Sequence, residues 1–375
     1  MGPLSGLRVV EIASLAPAPF GCMVLSDLGA EVLRVGRGAP TVLGPGNPLE
    51  RGRRSIVADL KRARGPELVL RLVEGADVLV EGFRPGVAER LGIGPDECLA
   101  RNPRLIYARM TGWGQDGPLA GRAGHDIDYI ALSGALHPIG PADRPPTPPL
   151  NYVGDFGGGG MLLAVGILAA LYERERSGRG QVVDAAMVDG SALLGAFLHG
   201  LQAAGLWSWE RGGNLLDGSA PFYTTYATAD GGYVAVGALE PQFYAALLEG
   251  LGLAGEDLPP QSDRAAWPAV KERFAGIFAT RSRDEWAARF AGTDACVAPV
   301  LSPAEAPAHP HNASRGIFVE VNGVTQPAPA PRFSRTPSAA PVSSPEPGED
   351  SDAALAGWGF TAEEIAALRR DGALG

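Results

Sequence analysis

The sequence predicts an α/β protein: a large body built on a parallel sheet, followed by a smaller α+β unit. Three observations predict it. Strand-like and helix-like patterns alternate from residue 7 onward, a hairpin signal opens a different texture near residue 220, and a Pro-rich tract at 327–348 leads to one last amphipathic helix.

The first strand is LRVVEIA (7–13), a β-branched apolar run. PAPFGCMVLSDLGA (17–30) follows with helical spacing, prolines at its start and Gly29 near its end. EVLRVGR (31–37) reads as the second strand, 65–75 as a helix, ADVLVEGF (76–83) as a third, buried strand, and LIYARMTGWG (105–114) as a further one. Strands separated by helices pair in parallel, so residues 1–205 form one body. The longest apolar run, Met161–Tyr172, is shorter than the roughly 20 residues that span a bilayer and reads as a buried helix. Beyond it, FYTTYATA and YVAVGAL flank Asp230-Gly231-Gly232, a hairpin turn. Helices over Pro241–Leu251 and from Trp267 to Phe290, then a strand near 295–301, complete a small unit over 220–315. Residues 327–375 carry the extended Pro/Ala/Ser tract and a helix opened by the capping box Thr361-x-x-Glu364, which returns to the large body.

Composition narrows the function. With 32 basic and 42 acidic residues the net charge is −10, which disfavours nucleic acid and anionic membranes as partners. Cysteines stand only at 22, 98 and 296, without metal or disulfide spacing, which points to a reducing cytoplasm. The opening residues run straight into a strand rather than a secretory signal. The turn after the first strand, Ala13 to Pro19, has neither GxGxxG nor a P-loop lysine, and no HExxH or GxSxG occurs, so nicotinamide, ATP, metal and serine-hydrolase chemistry lose support.

Three groups of residues carry chemistry. Arg37, Lys61, Arg84 and Arg90 recur near the ends of the early elements, where parallel strands meet at one edge and can surround a polyanion; singly, each reads as a solvated surface charge. Gly124-His125-Asp126-Ile127-Asp128-Tyr129 sets a histidine and two carboxylates at a helix start. In Val153-Gly154-Asp155-Phe156-Gly157-Gly158-Gly159-Gly160 one carboxylate stands beside glycines that allow tight turns and close backbone approach. Taken alone, Asp126 and Asp155 read as helix caps, His125 as a buried, hydrogen-bonded histidine, and Glu240 as a first-turn acid opposing a helix dipole.

Together these stretches resemble the type III CoA-transferase superfamily and, within it, the α-methylacyl-CoA racemases. LSGLRVVEIA, DLGAEVLRV, ADVLVEGFRPGVAERLG and the terminal FTAEEIAALRRDGAL are shared across that superfamily, whereas GHDIDYI and VGDFGGGG separate its activities. The resemblance implies a Rossmann-like large domain built from both chain ends, a small domain from the middle, and two interlocked subunits. It implies a cofactor-independent racemase acting on 2-methylacyl-CoA, with His125 and Asp155 as opposed acid and base, Glu240 of the other subunit as partner of His125, and Asp126 in support. It also implies contacts to the CoA part of the substrate from Arg37, Ala58, Lys61, Glu81, Arg84, Arg90 and Tyr129. Two rivals stand beside this reading: a CoA-transferase that uses Asp126 as nucleophile, and a CoA-binding protein that has lost the reaction.

Overall fold

The computed structural model describes residues 2–38 and 46–375. The chain divides into a large unit (Met1–Ala135, Leu150–Leu194 and His311–Gly375) and a small one (Leu136–Pro149 and Gly195–Pro310). The sequence reading set the changes at about 205, 220 and 315. The large unit ends at Leu194, resumes at His311, and is interrupted by 136–149, a segment rich in proline and without periodicity. The guanidinium of Arg211 ties that segment into the small unit by donating to the carbonyls of His137 and Arg144.

The large unit holds six parallel strands: β1 (Arg8–Ile12), β2 (Glu31–Gly36), β3 (Arg54–Val57), β4 (Val78–Glu81), β5 (Ile106–Thr111) and β6 (Gln181–Ala186), in the order β3-β2-β1-β4-β5-β6. The crossovers are α1 (Pro17–Asp27), α2 (Gly65–Val73), α3 (Val87–Arg90), α4 (Pro95–Arg101), α5 (Asp126–Leu132) and a π-helical stretch Tyr152–Met161 that runs into α6 (Leu162–Ser177); α7 (Met187–Leu194) follows the last strand. Alternate strand residues serve two cores. Val10, Leu33, Ile56 and Leu79 pack with α2, whereas Val9, Val32, Val78 and Ile106 pack with α1 and α6. The sequence reading passed over β3, a four-residue edge strand whose Arg54 interrupts the apolar pattern.

The small unit contains α8 (Ala196–Ala203), the antiparallel strands β7 (Tyr223–Ala227), β8 (Tyr233–Gly237) and β9 (Val297–Pro299), and helices α9 (Pro241–Leu251), α10 (Trp267–Phe278) and α11 (Arg283–Phe290). One helix over 267–290 was expected and two are found. Ser282 caps the second: its hydroxyl accepts the Glu285 N–H while the Glu285 carboxylate accepts the Ser282 N–H.

The chain returns through α12 (Pro310–Arg315) and a hairpin of β10 (Phe318–Val321) and β11 (Val324–Pro327). Asn322 and Gly323 turn it with φ of 49° and 75°, an Asn-Gly signal that the sequence reading left unused. Residues 328–348 form no regular element, as their composition predicts. α13 (Ser351–Gly357) and the capped α14 (Ala362–Arg370) then cover the α2 side of the sheet through Leu355, Trp358, Ile365 and Leu368.

The Gly-rich segment departs from expectation, because Gly157–Gly160 make no turn. They belong to the π-helical stretch, and none has a positive φ. Their lack of side chains lets backbone meet backbone. A methyl group on Gly158 would lie 2.6 Å from the Ser191 nitrogen in α7, and one on Gly160 would lie 2.6 Å from the Pro17 carbonyl oxygen in α1. Tyr152–Ser177 is thus one helical run of 26 residues, long and apolar enough to cross a membrane, rather than a short buried helix. Leu163, Ala164 and Ile167 are buried, whereas Val165 and Tyr172 are exposed. Replacing Gly158 by Ala should lower unfolding free energy by roughly 1–3 kcal/mol through overpacking, read as an earlier urea midpoint; an unchanged midpoint would show that the contact is not tight.

Candidate active site

In a doubly wound sheet the crevice for a ligand opens beyond the carboxyl ends of the strands, where the order reverses. Here that point lies between β1 and β4. A cavity of about 900 Å³ occupies it, walled by Ser14 to Pro17 after β1, Arg37 after β2, Ala58 after β3, Gly82 to Pro85 after β4 and Met110 to Trp113 at the end of β5. Gly124, His125, Tyr129 and Asp155 line the same cavity.

His125 caps α5 in an extended conformation and is exposed, so it is not a buried structural histidine. Its N–H donates to the Asp128 carboxylate at 2.9 Å, which fixes the turn into the helix. Tyr129, one turn on, sits beneath it. The ring occupies the space above Gly112 and Gly124, the hydroxyl donates to the Gly124 carbonyl at 2.5 Å, and Trp113 meets the ring edge-on at 4.7 Å. Burial, with the charges of Asp155 and Asp128, pushes the phenol up to about 12, so Tyr129 stays a neutral donor.

Asp155 stands in the first turn of the π-helical stretch, half-buried. Its carboxylate accepts from the Asn151 side-chain amide at 3.1 Å, and its backbone N–H donates to Asp126 Oδ2 at 2.7 Å. Burial raises its proton affinity above the usual aspartate range. The Asn151 hydrogen bond opposes that rise, the Asp126 charge adds to it, and the His125 ring opposes it. A carboxylic acid held in this way can exchange a proton closer to neutrality than a solvated aspartate can.

Asp126, a candidate catalytic group by sequence, does not line the cavity. It is 7% exposed, and its contact with Asp155 is made from inside the protein. The Glu81 side chain, expected against the ligand, does not line the cavity. It is fully buried and accepts the Phe83 N–H at 2.7 Å and Arg109 Nε at 2.8 Å, and Arg109 also pairs with Glu89. It therefore shapes the Gly82–Arg84 turn from below. Arg37, Ala58 and Arg84 line the cavity, whereas Lys61 and Arg90 are exposed outside its wall. Arg122, three residues before His125, also lines it and was not singled out by the sequence reading. Among the described residues Arg37, Arg84 and Arg122 have no carboxylate within ion-pair distance. Glu240 caps α9 in the small unit, exposed, with no capping hydrogen bond from its side chain.

The family model for CoA-transferase family III matches residues 4–351. The chain belongs to that family. Over 371 residues, 98% of this chain and 96% of the relative, it is 53% identical to α-methylacyl-CoA racemase of Mus musculus. It is 50% identical over 372 residues to the protein of that name from Homo sapiens, with the same shares covered. A CaiB/BaiF family protein from Brucella suis has the same fold, with a TM-score of 0.81 at 30% identity, covering 95% of this chain and 99% of that one.

The Asn151 contact yields a test independent of turnover. Asn151→Ala removes a donor that stabilises the Asp155 carboxylate, so the Asp155 titration midpoint, followed by carboxyl ¹³C NMR, should move up in pH; a downward move would contradict the assigned contact.

Proposed function

We propose that this family III protein is a racemase that inverts the α-carbon of 2-methylacyl-CoA thioesters. The observation that carries the reading is that two proton-exchanging groups, His125 and Asp155, line one cavity in a chain about half identical, end to end, to two α-methylacyl-CoA racemases. Inversion next to a thioester requires loss of the α-proton from one face and delivery to the other through a planar enolate. In one direction Asp155 takes the proton while the His125 imidazolium donates; in the other, neutral His125 takes it while protonated Asp155 donates. We place the enolate oxygen against the start of α5 at His125 and Asp126, where the helix dipole and a backbone N–H without an acceptor in the helix favour a developing negative charge.

The CoA phosphates lie along Arg37 and Arg84, with Lys61 and Arg90 outside the wall as further cations, and Ala58 and Tyr129 against the pantetheine arm. No further cofactor is needed, since CoA acidifies its own acyl group. We place Glu240 of a second copy against His125, in an interlocked homodimer. The exposed Leu132, Val165, Tyr172 and Leu193 of the large unit support a covered face there. A cytoplasmic setting belongs to the same proposal, in keeping with three unpaired cysteines.

The rival reading is CoA transfer through an anhydride on Asp126. It would require that buried side chain to leave the Asp155 N–H and meet the thioester. Incubating single enantiomers of a 2-methylacyl-CoA with a free acceptor acid decides the matter. The racemase reading expects either enantiomer to relax to a near 1:1 mixture with CoA left in place; CoA appearing on the acceptor while chirality is kept would replace it with the transferase.

A further inference from the structure

We infer that Asp126 is a positioning residue that aims Asp155 at one face of the substrate α-carbon. This rests on the racemase reading and goes beyond it. Asp126 belongs to α5 and Asp155 to the π-helical stretch, 29 residues on, and one hydrogen bond of 2.7 Å from the Asp155 N–H to Asp126 Oδ2 joins them. Because His125 precedes Asp126 in the chain, that bond sets the spacing between the two acid/base groups.

The contact is built in three ways. Asp126 is buried, so the bond is sheltered from water and stronger than at the surface. Its second oxygen is buried without a hydrogen-bond partner, leaving the Asp155 amide as the donor that holds the carboxylate. Gly154 makes room: a methyl group there would lie 2.6 Å from Asp126 Oδ2 and 2.8 Å from its Cγ, so any side chain larger than hydrogen would push the carboxylate away. Gly154 does not have a positive φ, so its requirement here is space rather than backbone conformation. An acid placed only to oppose the α5 dipole would need neither the inward direction nor the glycine.

The consequence is asymmetric. Loosening Asp126 displaces Asp155 and leaves the His125 side with its own anchor, the bond from its N–H to Asp128. Exchange of the α-proton for deuterium in D₂O, followed separately for each enantiomer of a 2-methylacyl-CoA, reads the two faces independently. Asp126→Ala should lower exchange of one enantiomer, and racemisation with it, by about 10²-fold through misplacement of the base. Exchange of the other should stay within about threefold, and KM should hardly move. Asp126→Asn keeps an acceptor oxygen and should recover at least about tenfold of the loss. Gly154→Ala leaves Asp126 in place chemically and should depress the same enantiomer.

Equal loss on both faces in the folded variants, or loss on neither, would overturn the positioning role. So would an Asp126→Asn variant as impaired as Asp126→Ala. Should the wild-type protein exchange neither enantiomer, the racemase reading itself fails; should it exchange both while the variants do not split the faces, only this inference fails.

Discussion

The site depends on how closely the backbone of the Gly-rich π-helical stretch can approach its neighbours. Gly158 and Gly160 let it rest against α7 and α1 where a methyl group would collide, and Gly154 lets the Asp126 carboxylate reach the next amide. The segment that carries Asp155 is thus held by backbone contacts at Gly158 and Gly160 and by the buried Asp126 carboxylate at Gly154. A π-helical turn also brings successive residues round at a different angle from an α-helix, which is a frequent device at functional sites. Here it brings Asp155 to the cavity wall and ends in an ordinary α-helix packed on the sheet.

Electrostatics divide the cavity into two regions. The Asp155 carboxyl is half-buried beside Asn151, Asp126 and His125. Burial and the Asp126 charge favour its acid form, and a single amide from Asn151 restrains that preference. At the strand ends stand Arg37 and Arg84, and in the loop before His125 stands Arg122, guanidinium groups without carboxylate partners among the described residues. They contrast with Arg53, which is buried against Glu11, and with Arg109, which is held between Glu81 and Glu89. Burial pushes the Glu81 carboxyl up, while the Phe83 N–H and Arg109 pull it down, so the turn that presents Arg84 is fixed from within the core. One region suits proton exchange and the other an anion, which is the division a charged thioester requires.

The sequence was readable where periodicity is strong. The strands of the large unit other than the edge strands β3 and β6, the hairpin at Asp230 and the capping box at Thr361 follow from patterns a few residues long. β3 was missed because an edge strand of four residues has little pattern to show. The break at Ser282 and the Asn322-Gly323 turn were written in plain capping and turn chemistry and were passed over inside longer motifs. The excursion at 136–149 has no local signature, since its place is decided by Arg211, far along the chain. At the site, His125 and Asp155 were visible only as residue types with ordinary structural explanations; their motif context raised them. Glu81 entered only through the resemblance, and its side chain turns into the core. Arg122 had no distinguishing signal, for its loop carries no periodicity.

The central claim is that His125 and Asp155 serve opposite faces of one carbon. The most direct measurement is the α-deuterium exchange of each pure enantiomer by His125→Asn and Asp155→Asn in D₂O. The account predicts a crossed pattern, in which neither variant inverts the centre, each still exchanges one enantiomer with retention, and the two retain opposite ones. If both variants lose exchange of the same enantiomer, or either one still inverts, the two-faced arrangement is wrong.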